Sequence, residues 1–310
     1  MVRAFLIGAG ATRAQYDKAP LSADFLKLLS EHHPQLFLDI KATIKKYLSE
    51  ELQNKDIEQV VRLANKLSGS DNLRFSVNLF SAISHLLVST TGSDRRSMQL
   101  CTAGNTNVKT TFHTLLLDKR LKDDDFFITL NYDLYLDREI LSIGKGVDYG
   151  TDEGVTHSVH EAFRLENKFS VYHLHGSLNW ERVQNRISIH LGAVDPRYLR
   201  EGSNLCLIPP GQKELDPILH GVWEKAERRL SNADELIIIG CSLNLLDVEL
   251  IELIKKFKQK KGPENVKIVS GSSPNPNYKH IFGEDFNHIY DKGFNTHNHP
   301  NALEFIFGNS

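Results

Sequence analysis

Short apolar runs recur along this chain, and each stops at a turn of small or polar residues. They are FLIGAGAT from Phe5, FFITLNYD from Phe126, SVYHLHGS from Ser170, ELIIIGCSLN from Glu235 and NVKIVSGSSPNP from Asn265. Runs this short, bounded by Gly, Asn and Ser, read as buried strands. Laid parallel in one sheet, they bring all five turns to the edge outside the strand carboxyl ends, where open α/β folds bind ligands. Between Glu235–Ile239 and the GP stop at Gly262 the period changes to a helix over Asp247 to Lys261, which ends in the basic KKFKQKK that suits a helix carboxyl terminus. Those lysines also suit phosphate, and a solvated helix end explains the same residues.

From about Ser30 to Asn107 strand-like runs disappear. Helical spacing dominates in FLDIKATIKKYLSEELQ, DIEQVVRLANKL and FSVNLFSAISHLLVS, and the Ser89–Asn107 stretch is polar and loop-like. Residues 11–30 read as a loop around Pro20 followed by a helix with Phe25, Leu26, Leu28 and Leu29 on one face. The tail from Ile281 reads as peripheral, with FIF near its end able to dock. The expected fold is α/β: a Rossmann-like parallel sheet with helices on both faces and a helical insertion module. Residues 1–310 form a single domain, with 30–110 as the insertion.

The chain has 310 residues, enough for such a core. Its 37 basic and 39 acidic side chains leave a net charge of −2, with no global footprint for nucleic acid or an acidic membrane surface. No apolar stretch approaches the ~20 residues of a membrane span, and MVRAFLIGAG lacks the pattern of a signal peptide, so a cytoplasmic location is expected. Cys101, Cys206 and Cys241 are far apart and form no CxxC pair, against both a disulfide framework and a cysteine zinc site. His280, His288, His297 and His299 lack companion ligands at informative spacing. No metal is expected.

The candidate chemistry sits in the turns. In Gly8-Ala9-Gly10-Ala11-Thr12 the glycines suit a close approach of backbone N–H groups to a pyrophosphate, although Arg13 stands where GxGxxG has its third glycine. Thr12 and Arg13 add a hydroxyl and a cation. Asn131 and Asp133 at a strand end suit helix capping or ligand contact equally. The alternation around Val171 places His175 at the strand end before Gly176 and Ser177, where an imidazole can act as a general base; His173 reads as a hydrogen-bonded core histidine. Gly240, Ser242 and Asn244 make a second small-residue turn, with Asp247 as a cap and Cys241 as a small hydrophobe.

In this order the GAG turn, Asn131-Tyr132-Asp133, His175-Gly176 and Gly240-Cys241-Ser242-Leu243 resemble the Sir2 superfamily over roughly residues 1–30 and 111–275. The forms TLNYD, IPPG at Ile208–Gly211 and IIIGCSLNLLD resemble prokaryotic Sir2-like proteins more than protein-deacylase sirtuins. Deacylase sirtuins carry a four-cysteine zinc module between the His-Gly and Gly-x-Ser motifs; Ser177–Ile239 here holds only Cys206. The sirtuin Phe-Arg motif has no counterpart between Arg13 and Ser30.

The resemblance to the Sir2-like proteins of bacterial antiphage systems implies cleavage of NAD, as substrate, to nicotinamide and ADP-ribose. It implies His175 as the catalytic histidine, Asn131 positioning ribose or water, and Asp133 contacting the nicotinamide amide. Gly8, Ala9, Gly10, Ala11, Thr12, Arg13, Gly240 and Ser242 would hold phosphate and ribose, with Ser270 and Asn275 near adenosine. The alternatives are an NAD-dependent deacylase or ADP-ribosyltransferase and a non-catalytic sensor of NAD or ADP-ribose. Because core and insertion occupy nearly the whole length, control is expected from homo-oligomerisation or from a separate sensor or ATPase chain.

Overall fold

The structure, a computed structural model, describes residues 1–16, 19–21, 23–48, 52, 55–57, 59–60, 75, 78–79, 81–83, 85–87, 111–151, 156–157, 165–183, 186–190, 203–207, 217–271, 275–294 and 299–308. The Ser89–Asn107 stretch, Cys101, IPPG and His297 lie outside them.

The chain begins with β1 (Arg3–Ile7), α1 (Ala9–Gln15), α2 (Phe25–His32), α3 (Pro34–Leu48) and α4 (Thr111–Leu116). It continues through β2 (Phe126–Thr129), α5 (Tyr135–Ser142), β3 (Gly146–Asp148), β4 (Thr156–His157), β5 (Lys168–His173), β6 (Gly176–Val183), β7 (Arg186–Ile189) and β8 (Ser203–Leu207). It ends with α6 (Pro217–Asn232), β9 (Glu235–Ile239), α7 (Val248–Lys261), β10 (Val266–Val269), α8 (Pro276–Phe282), β11 (Ile289–Tyr290) and α9 (His299–Phe307).

A seven-stranded sheet runs in the order β11-β10-β9-β1-β2-β5-β3, with every pairing parallel. Its central strands are buried along their whole length, as expected of parallel strands covered on both faces: β1 and β2 expose nothing and β9 only Glu235 in part. Register fixes where they end. Ile7 lies opposite both Thr129 and Ile239, Thr129 opposite His173, and Ile239 opposite Val269. All five predicted strands therefore stop at one level, and the five turns share one edge. The chain leaves β1 toward β2 and returns to β9 on the other side, so the strand order reverses at β1.

Helix α7 forms where the sequence places it. Leu250, Ile251, Leu253, Ile254 and Phe257 give it a buried stripe, the Asp247 side chain caps its start, and Gly262 at φ 90° ends it. Three of its lysines have protein partners: Lys258 Nζ donates to the Ile281 carbonyl, and Lys256 and Lys261 pair with Glu227 and Asp234. At the other end of the chain, Ile306 is buried and the Phe307 ring packs 6.2 Å from Phe5, beneath the Arg3 and Arg120 guanidiniums, so FIF docks.

Two elements differ from the sequence reading. The helix after β1 starts at Ala9, inside GAGAT, rather than after a loop. A second sheet, β4-β7-β6-β8, flanks the His-Gly turn, with β4 before it and β6, β7 and β8 after it. Periodicity missed it because in β6 the polar side chains of Ser177, Asn179 and Glu181 are buried together with Leu178 and Trp180.

A second apolar cluster lies apart from the sheet core. It packs Phe25, Leu26 and Leu29 of α2 and Ile40 and Ile44 of α3 against Leu52, Val60 and the helical residues Phe75, Leu79, Ala82, Ile83, Leu86 and Leu87, and meets the sheet layer at Leu178.

Candidate functional site

A cavity of about 970 Å³ opens at the shared strand edge. Gly8, Ala9, Gly10, Thr12 and Arg13 line it from the first turn, Asn131 and Asp133 from the second, and His175 from the third. Gly240, Ser242 and Asp247 line it from the fourth, and Ser270 and Asn275 from the fifth. The helical cluster closes another wall with Phe25, Ile57, Ile83 and Leu87. Of the residues singled out from sequence, Ala11 is buried behind the wall.

The glycines answer first to each other. A Cβ on Gly8 would come within 2.6 Å of Cys241 Cα, and one on Gly10 within 2.7 Å of the Gly240 carbonyl oxygen. Gly240 itself sits at φ 61°, and a Cβ there would come within 2.1 Å of Ala11 N, a conformation and a clearance that only glycine tolerates. The Gly10 N–H donates to the Gly240 carbonyl at 2.8 Å and the Ala11 N–H to Gly8 O at 2.9 Å. Two donors of the first turn are therefore spent inside the protein, and the GAG turn is first a seam between β1 and β9.

Thr12 is the hub of the polar wall. Asn131 Nδ2 donates to Thr12 Oγ1 at 3.1 Å and to Gly8 O at 3.2 Å, and the Thr12 hydroxyl donates to Asp133 Oδ2 at 2.9 Å. Asp133 Oδ1 accepts the Tyr135 N–H at 3.2 Å, so this carboxylate steadies the start of α5 while Leu134 occupies the cap position. Burial pushes the Asp133 carboxyl up to about 6, against the opposing hydrogen bonds from Thr12 and Tyr135. Asn131 Oδ1 is buried and has no partner among the described residues, on a residue 7% exposed that lines the cavity. A buried amide oxygen left in this way is costly unless a ligand or water in the cavity satisfies it.

His175, 6% exposed, presents Nε2 to Asp247 Oδ2 at 3.1 Å. The other oxygen of Asp247 accepts the Leu250 N–H at the start of α7. Sequence reasoning assigned Asp247 only the cap, because the bond to His175 spans 72 residues and leaves no local signal. His173, one pleat earlier, is fully buried, with Nε2 on Asp137 Oδ1 at 3.0 Å and Nδ1 on the Asn131 carbonyl at 3.3 Å. Burial opposes the charged form, but Asp137 and the Asn131 carbonyl outweigh it and hold the imidazolium above the usual histidine range. This buried pair braces the backbone that carries Asn131.

The fourth turn is strained and pinned. Leu243 adopts φ 50° while fully buried, and the carbonyls around it are held from the start of α8. Tyr278 Oη donates to Cys241 O at 2.7 Å, Asn275 Nδ2 to Ser242 O at 3.0 Å and Asn277 Nδ2 to Leu243 O at 3.1 Å. Asn275 also caps α8, a role that sequence alone left unassigned. Arg13 lines the cavity with its guanidinium already engaged, 3.1 Å from Asp24 and bonded to the Ala19 carbonyl.

Among the described residues no group of three or more His, Cys, Asp and Glu is placed to hold a metal ion, and no helix is long and apolar enough to cross a membrane.

The family model of the SIR2-like domain matches residues 125–290. Among solved structures, the chain is similar to a Sir2 homolog in complex with NAD at 16% identity, covering 94% of this chain and 84% of that one with a TM-score of 0.46. It is also similar to a structure described as the structural basis for sirtuin substrate affinity, at 13% identity over 98% of this chain and 92% of that one, TM-score 0.44. No curated protein matches the sequence.

Proposed function

The chain belongs to the SIR2-like domain family, and from that membership we propose that it is an NAD glycohydrolase, cleaving NAD to nicotinamide and ADP-ribose. The observation that carries the reading is the pairing, in one cavity, of an imidazole, His175, with a buried amide oxygen of Asn131 that has no partner among the described residues. The cavity is large enough for a dinucleotide and runs along all five strand ends.

In this reaction the C1′–N bond of the nicotinamide riboside breaks, and its electron pair leaves with nicotinamide, which departs neutral from a cationic ring without a general acid. Asn131 Oδ1 orients the attacking water, His175 takes its proton as the new C1′–O bond forms, and oriented dipoles steady the oxocarbenium-like ribose. Asp133, titrating near 6, faces the nicotinamide amide. The first turn, Gly240, Ser242 and Ser270 line the phosphate, ribose and adenosine end. The lone cysteine between the His-Gly and Gly-x-Ser motifs favours this reading over a deacylase built on a zinc module.

Residues 1–310 act as a single SIR2-like domain, with 30–110 as a helical insertion. The biological role is that of an antiphage effector that depletes NAD. Its activity is held in check by homo-oligomerisation or by a separate sensor or ATPase chain, with the helical module as the contact face.

The test incubates purified protein with NAD, with and without extract from phage-infected cells, and resolves the products by chromatography. Nicotinamide and ADP-ribose appear with the wild type, and His175→Ala and Asn131→Ala lose about 10²–10⁴-fold of the rate. Substantial turnover in both variants refutes the site. Nicotinamide release that depends on an acyl-lysine peptide moves the assignment to deacylation.

A further inference from the structure

We infer that Asp247 is the positioning residue of His175: it holds the imidazole by Nε2, fixes its tautomer and supports its positive charge during turnover. The inference rests on the glycohydrolase reading for its kinetic consequence, though not for its geometry.

Three observations carry it. The Asp247 carboxylate is buried, 3.1 Å from Nε2, and an ionised carboxylate only accepts hydrogen bonds. The proton of a neutral His175 therefore sits on Nε2, and the basic lone pair is on Nδ1. Asp247 is itself held by its second oxygen, which accepts the Leu250 N–H at the head of α7. The imidazole is thus anchored to a helix that enters the cavity from a different strand. Finally, the turn that delivers Asp247 contains Leu243 at φ 50°, pinned by Asn277 and Tyr278. Strain is tolerated there to bring a carboxylate to the end of β5, when a cap for α7 alone needs no such turn.

During turnover the water oxygen forms its bond to C1′ and its proton moves to Nδ1, which makes His175 an imidazolium. Asp247 keeps the Nε2–H bond throughout and offsets the new charge without taking the proton. Among the described residues, the other titratable groups lining the same cavity are Asp133, Asp56, Tyr132, Tyr278, Cys241 and Arg13.

Asp247→Asn tests this, because asparagine caps a helix as well as aspartate does while removing the charge. The readouts are steady-state kinetics on NAD in wild-type and His175→Ala backgrounds, the pH profile of kcat/KM, and nitrogen NMR of the His175 ring. Asp247→Asn lowers kcat by about 10-fold or more with KM nearly unchanged, and adds nothing in the His175→Ala background. The acid limb of the pH profile moves down by about one pH unit or more, and the ring loses its preference for the Nε2–H tautomer.

An equal fold-loss in both backgrounds, or a ring whose tautomer and titration ignore Asp247→Asn, overturns the inference. If the wild type turns over no NAD, the glycohydrolase reading fails by itself, and the NMR comparison on the folded protein still decides the role of Asp247.

Discussion

Asp133 offers a test of the site that needs no substrate. Its carboxyl is buried in the cavity wall and rises from its ordinary 3.8 to about 6, with burial as the first cause. That rise corresponds to about 3 kcal/mol, at about 1.4 kcal/mol per pH unit. Because the folded-state value lies above the unfolded one, the stabilising contribution is complete below about pH 4 and is lost as the pH climbs through about 6.

Asp133→Asn removes the titration. One carboxylate oxygen becomes an amide nitrogen, so one of the hydrogen bonds from Thr12 and the Tyr135 N–H is given up, at about 1 kcal/mol independent of pH. Urea unfolding of both proteins between pH 4 and pH 8 is therefore expected to show the variant slightly weaker at the acid end. It gains about 3 kcal/mol relative to the wild type by neutral pH, with most of the change complete near pH 6. Parallel stability curves over that range would mean that the carboxyl is solvated in the folded protein, and the description of the cavity wall would be wrong.

Two further substitutions probe the frame. Gly240→Ala places a methyl group against Ala11 N at φ 61° and is expected to cost more than about 3 kcal/mol, read as a shift in the urea midpoint; a loss under about 1 kcal/mol refutes the glycine seam. Asp137→Asn breaks the buried pair with His173 and is expected to cost about 3–5 kcal/mol. Since His173 is raised in the folded protein, that cost is largest below about pH 6.5 and shrinks as the pH rises through its folded value, and melts at pH 5.5 and pH 9 distinguish this from a pH-independent packing loss.

The sequence by itself determined the parallel sheet and the edge at which its turns gather. Strands such as Phe126–Thr129 and Glu235–Ile239 are apolar on both faces, and a parallel sheet covered by helices is the arrangement that buries both. The turn residues that follow them are therefore carried to one edge. Helix α7 was legible for the same reason: stripe, cap and stop all lie within its own residues.

Tertiary structure decided what each turn residue touches. Asp247 carries the local signature of a cap, and only the approach of α7 to the end of β5 turns its second oxygen toward His175. Arg13 looks like a phosphate cation until the α2 loop brings Asp24 within 3.1 Å, and the GAG amides look like pyrophosphate donors until Gly240 takes one of them. The four-stranded sheet escaped notice because the polar side chains of β6 are buried against the end of the next strand, Asn179 on the His190 carbonyl and Glu181 on the His190 ring, so its polar positions mark no face toward water. Periodicity records which side of an element faces water. Which polar atom meets which is set by elements that arrive from elsewhere, through bonds that span as many as 232 residues, as between Arg3 and Glu235, and leave no local mark.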